Sequence, residues 1–160
     1  MRESTLPAQV ADMQRQLREL QVSILRERML RLRQAGKLLF TIWHLDHYGP
    51  FWAEKDPQLD AIRMELTKGY DVDGQAGKLV RSLDRELGGV LLSLLKRLHL
   101  EDNPREQRLL CYCLLDLPAE MVADKLGWTA NNARVRRSRL RKQVSELNDS
   151  DYDALFNIRR

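Results

Sequence analysis

Apolar residues fall at Leu6, Val10, Met13, Leu17, Leu20 and Ile24, with spacings that alternate between four and three. That is the heptad rhythm of a helical seam, and Arg, Gln and Glu fill the positions between. After Ile24 the rhythm shifts phase to Leu25, Met29, Leu32 and Leu39, as a stutter does. The pattern predicts one long helix over residues 1–48 that runs on through Gly36. Near its end Leu39, Phe40, Ile42 and Trp43 crowd one side. The first seam has two readings: a coiled coil with a second copy, or an amphipathic helix packed on its own domain. The coiled coil, a homodimer, is the expectation carried forward.

Residues 49–102 read as a helical connector. Gly49-Pro50 stops the long helix, and the stretch 51–55 carries two aromatics that want burial. Asp56-Pro57 opens a short helix, Asp56 as its cap and Pro57 at its first position. Leu59, Ile62 and Leu66 mark its inner face, and Lys68-Gly69 ends it. A further helix is predicted over 75–100, with Leu79, Leu83, Leu87, Val90, Leu91, Leu94 and Leu98 at the 3.6-residue period. Gly88-Gly89 in its middle implies a bend or a close crossing, since no strand precedes it as a phosphate loop requires.

From Asn103 the pattern becomes more specific. Asn103-Pro104-Arg105-Glu106 is a helix start, with a cap residue, a proline and an acid in the first turn. Leu109, Leu110, Cys113 and Leu114 form that helix's stripe. Asp116-Leu117 breaks it. Pro118-Ala119-Glu120 opens a second, short helix with Met121, Val122 and Leu126 inside, and Ala123 is small enough for a close crossing. Gly127 closes it, Trp128 fills the gap and Thr129 caps a third helix over 130–144. The whole reads as an all-α chain: a coiled-coil helix (1–48), a helical connector (49–102) and a helix-turn-helix domain (103–160).

Composition supports helix, with only 8 Gly and 5 Pro in 160 residues. Net charge is +4, which looks weak until it is located. Lys125, Arg134, Arg136, Arg137, Arg139, Arg141 and Lys142 place seven positive charges between 125 and 142 with no acid, so the rest of the chain is net −3. Such a run repels itself in water, and a phosphate backbone compensates it.

Other chemistry is thin. Cys111 and Cys113 lie two apart without a second metal-binding pair, which excludes a zinc framework, disfavours a disulfide between them and fits a reducing, cytoplasmic setting. Asp71-Val72-Asp73-Gly74 has its Gly at the fourth position, where a calcium loop needs it at the sixth, so a turn is expected. His44, Asp46 and His47 share one helix end but have no recognisable further ligand. No stretch approaches the roughly 20 apolar residues of a membrane span, and no secretory signal is visible. No nucleophile with a base, paired carboxylates or metal set stands at a working spacing, so no enzyme, cofactor or metal is expected.

The stretch NPREQRLLCYCLLDLPAEMVADKLGWTANNARVRRSRLRK resembles the DNA-binding domain of LuxR-type response regulators and, less closely, region 4 of bacterial sigma factors. The pattern shared is a Pro-Arg-Glu start, an apolar helix, a short helix ending in Leu-Gly and a capped recognition helix. About 45 of 160 residues are covered. The distal chain is also similar to a group of Bacteroidetes regulators in which a helical-repeat sensor and membrane helix precede a coiled coil. That likeness implies the cytoplasmic end of a longer, membrane-anchored protein. Departures are Asp116 where the family has Gly, Asn132-Ala133 where it has Thr-Val, and Arg136 where it often has His.

Helical geometry then assigns roles. With Ala133, Leu140, Val144 and Leu147 inward, Asn131, Arg134, Val135 and Ser138 face a major groove, where Arg reads guanine, Asn adenine and Val a thymine methyl. Lys125, Thr129, Arg137, Arg139, Arg141 and Lys142 flank that face for phosphates. Arg136 falls near the inner face and is expected to snorkel out or to pair with an acid rather than touch DNA. The implied function is a sequence-specific, double-stranded-DNA-binding transcription regulator. Its dimer seam is Leu6, Val10, Met13, Leu17, Leu20 and Ile24. Two other readings fit the same residues: a module docking on RNA polymerase or another regulator, and a coiled-coil scaffold.

Overall fold

The computed structural model describes residues 5–48 and 57–159. Among them the chain is all-α. Eight helices follow: α1 (Leu6–Tyr48), α2 (Pro57–Gly69), α3 (Ala76–Glu86), α4 (Val90–Arg97), α5 (Pro104–Leu114), α6 (Ala119–Leu126), α7 (Ala130–Glu146) and α8 (Ser150–Leu155). The expected stop at Gly49-Pro50, the 51–55 connector and the Asp56 cap lie outside the described residues.

α1 is 43 residues long, which at 1.5 Å per residue is roughly 65 Å. It divides at the phase shift. Leu6, Val10, Met13, Leu17, Leu20 and Ile24 are 39–72% exposed, whereas Leu25, Met29, Leu32 and Leu39 are buried. The second seam packs on α8 and on the end of α5, joined by Val22, which the heptad count had left out. The stutter marks where the helix enters its own fold.

The predicted helix over 75–100 is two helices. Gly88 and Gly89 take φ of 63° and 90°, a left-handed pair that no helix accommodates. The new helix start is satisfied from the preceding helix: the Asp84 carboxylate accepts from the Leu92 amide at 2.9 Å. Leu79, Leu83, Leu87, Leu91 and Leu94 are buried as expected. On α2 the expected inner face is mostly in solvent. Leu59 and Ile62 are exposed, and only Leu66 packs against the core. Among the described residues the short helix packs chiefly along α1.

Residues from 5–48, 57–102 and 103–159 contribute to one continuous apolar core. α3 packs on α5, α6 on α7, and α8 closes against α1, α4 and α7. α5 is buried on more than its expected stripe, because Cys111 and Tyr112 are inside as well. The Tyr112 hydroxyl donates to the Val72 carbonyl at 2.6 Å and accepts from Arg108 Nε at 3.0 Å, so the polar tip of the ring is satisfied. Val72 belongs to the expected turn, in which the Gly74 amide donates to the Asp71 carbonyl.

Candidate nucleic-acid interface

Three helices and two tight corners build the basic surface. Asn103 caps α5, its side-chain oxygen accepting from the Glu106 amide at 3.2 Å. α6 ends at Gly127, whose φ of 69° suits glycine. Thr129 caps α7, accepting from the Asn132 amide at 3.1 Å. The caps predicted at Asn103, Gly127 and Thr129 are in place.

The Pro-Arg-Glu start also reaches beyond its own helix. Arg105 donates to the Leu126 carbonyl, one of the acceptors left open at the end of α6. Its guanidinium sits 5.0 Å over the Trp128 ring, and Arg136 of α7 lies 4.8 Å from the same ring. Arg136 donates to Glu106 at 3.2 Å. Trp128 therefore has two cations against its ring, and the turn is tied to both the first and third helices. Of the two outcomes expected of Arg136, the pairing with an acid is the one seen, at an exposed position. The cluster around Trp128 was not foreseeable, because 105 and 136 meet only in space.

On α7, Ala133, Leu140 and Val144 are buried and Leu147 half-buried. The opposite positions, Asn131, Arg134, Val135 and Ser138, are exposed on one face. Arg134, Arg139 and Lys142 make no hydrogen bond or ion pair with any described residue. They are extended cations on an open helix.

The other proposed phosphate ligands are less free. Lys125 is 7% exposed and its Nζ lies 2.6 Å from Asp73 Oδ1, so it is corrected from a phosphate ligand to a strut between α6 and the 70–75 turn. Arg137 is half-buried and donates to the Leu117 carbonyl at 2.7 Å. Arg141 reaches the Asn157 carbonyl only at 3.5 Å and stays exposed. Thr129 keeps its hydroxyl proton for a partner at the helix start, since its oxygen is the acceptor in the cap.

The remaining candidate groups have structural employment. Asp46 pairs with Arg63, and His47 Nε2 lies 3.7 Å from Asp124. Cys111 and Cys113 are free thiols, and burial pushes both up, Cys113 to about 12, which keeps them protonated and unreactive. Among the described residues no group of His, Cys, Asp and Glu could hold a metal, and no helix is long and apolar enough to cross a membrane. Comparison with protein-family models, with curated proteins and with solved structures returns no match.

Proposed function

We propose that the chain is a transcription regulator of the LuxR-like helix-turn-helix type that binds double-stranded DNA with α7 in the major groove. The observation that carries the reading is the face of α7. Asn131, Arg134, Val135 and Ser138 project together from a helix anchored at both ends, flanked by Arg139 and Lys142, which have no partner among the described residues. Side chains of these types match the donor, acceptor and methyl pattern of base edges. The flanking cations, with Arg141 and Thr129, suit phosphates.

The regulator works as a homodimer. The exposed seam from Leu6 to Ile24 is apolar on one stripe over about 27 Å of helix, and a second copy buries it as a parallel coiled coil. Each α1 continues into the fold that holds α7, so the seam sets the separation of the two recognition helices. Half-sites about one duplex turn, roughly 34–36 Å, apart follow. Two free thiols fit work in the reducing cytoplasm.

The test is a fluorescence-polarisation salt titration against random duplex DNA, followed by selection of preferred sites. Binding that weakens linearly in log–log form with salt, and a selected site with two related halves, are expected. Undetectable binding to any duplex at low salt overturns the reading.

A further inference from the structure

Next to the exposed face of α7 lies an open cleft of about 400 Å³. Arg134, Arg137 and Arg141, three and four residues apart, line one wall together with Ser138. Cys113 and Phe156 add apolar residues to the lining. Asp116 supplies the only carboxylate, and it does so from a backbone φ of 54°, a conformation that glycine adopts far more readily.

Three guanidiniums against one carboxylate leave the cleft at net +2. A phosphomonoester carries close to two negative charges at neutral pH and offers three acceptor oxygens. Guanidinium forks match those oxygens in pairs, and Ser138 adds a hydroxyl. The cleft is larger than a phosphate group needs, and Cys113 and Phe156 in its lining suit an apolar or planar body attached to the phosphate.

We propose that this cleft binds a small phosphomonoester with an aromatic or apolar body, Asp116 tuning affinity by competing for the same arginines. Arg134 and Ser138 also belong to the face assigned to base reading, so the ligand competes with DNA; this second half rests on the DNA-binding reading above. A strand phosphate of DNA has the same oxygen chemistry, and the experiment separates the two sources.

The probe is phenyl phosphate, followed through its aromatic protons by ¹H NMR titration against the full chain, with phenol as the control. Saturable binding of phenyl phosphate and none of phenol is expected. Arg134→Gln and Arg141→Gln, both at exposed positions, should each weaken it about tenfold, the factor for one lost charge-assisted hydrogen bond. Asp116→Asn, which tolerates the same backbone conformation, should tighten it. No saturation at millimolar probe, or equal affinity in the wild type and both arginine variants, overturns the site. Duplex DNA is then titrated onto the same sample. Duplex binding without phenyl phosphate binding means that the cleft serves strand phosphates only, and the small-ligand site falls while the DNA reading stands. Phenyl phosphate binding without duplex binding keeps the site and removes the DNA reading. Simultaneous binding of both removes the competition.

Discussion

Gly36 of α1 lies so close to the Leu115 carbonyl at the end of α5 that a Cβ at position 36 would sit 1.7 Å from its oxygen. The neighbour is backbone, so it cannot rotate aside. This is the closest seat of the long helix on the α5–α6 corner, and therefore on the unit that carries α7. Trp43 extends the same contact, donating through Nε1 to Asp124 of α6 at 3.0 Å.

Gly36→Ala is expected to destabilise the fold by about 1–3 kcal/mol, the range for a forced methyl in a packed interior. The direction opposes intrinsic propensity, which favours Ala in a helix by about 1 kcal/mol. Gly77→Ala in α3 is the matched control, because its Cβ would meet only the tip of Arg81 at 3.3 Å; it should be neutral or stabilising. Urea unfolding of the two variants decides, and a Gly36→Ala protein as stable as wild type would mean that α1 does not sit on this corner.

Much of this arrangement is legible in the sequence, because it is written in local signals. The caps at Asn103 and Thr129, the Gly127 corner and the inward set Ala133, Leu140 and Val144 all follow from spacing and turn chemistry over a few residues. The phase shift after Ile24 was legible as a stutter, but its meaning was not, since α8 must be present for Leu25 and Met29 to be inside. Lys125 shows the same limit. It looks like a member of a basic run, and only the fold brings Asp73 to it from 52 residues away. The split at Gly88-Gly89 was readable as a bend; that Asp84 restarts the helix depended on the three-dimensional turn.

The two seams of α1 should respond differently to substitution. Leu17 and Leu20 are more than half exposed, while Leu32 is fully buried. Leu17→Glu combined with Leu20→Glu should convert a dimer to a monomer with its domain intact, by placing charges in the proposed interface. Leu32→Ala should cost about 2–5 kcal/mol of folding stability. Equilibrium sedimentation and thermal unfolding read these separately, and a wild-type chain that sediments as a monomer at high micromolar concentration removes the coiled coil.

Lys125 and Lys142 belong to one basic run but should behave as different kinds of residue. Lys142 is exposed without a partner among the described residues, so Lys142→Gln should lower the log–log salt slope of duplex binding by about 1 and leave stability unchanged. Lys125→Gln should leave the slope alone and cost about 1–2 kcal/mol, as its charge-assisted hydrogen bond to Asp73 is lost. Equal slope changes in the two variants would return Lys125 to the phosphate surface.

Tyr112 provides a pH signature of the core. Burial pushes its phenol up to about 12 against the partial opposition of the Arg108 guanidinium. With the folded value above the ordinary 10.0, the contribution to stability is complete below pH 10. Above it the unfolded chain releases the proton while the folded chain keeps it, so stability falls as pH rises toward about 12. The Cys113 thiol, ordinarily at 9.0 and likewise pushed up to about 12, adds to the same decline and starts it earlier. Tyr112→Phe should cost about 1 kcal/mol near neutral pH, because Arg108 still donates to the Val72 carbonyl at 3.2 Å. Its alkaline decline should be shallower than that of wild type, one titrating group having been removed. Urea unfolding at a series of pH values measures both slopes, and parallel curves above pH 10 would show that the phenol is not held protonated by the fold.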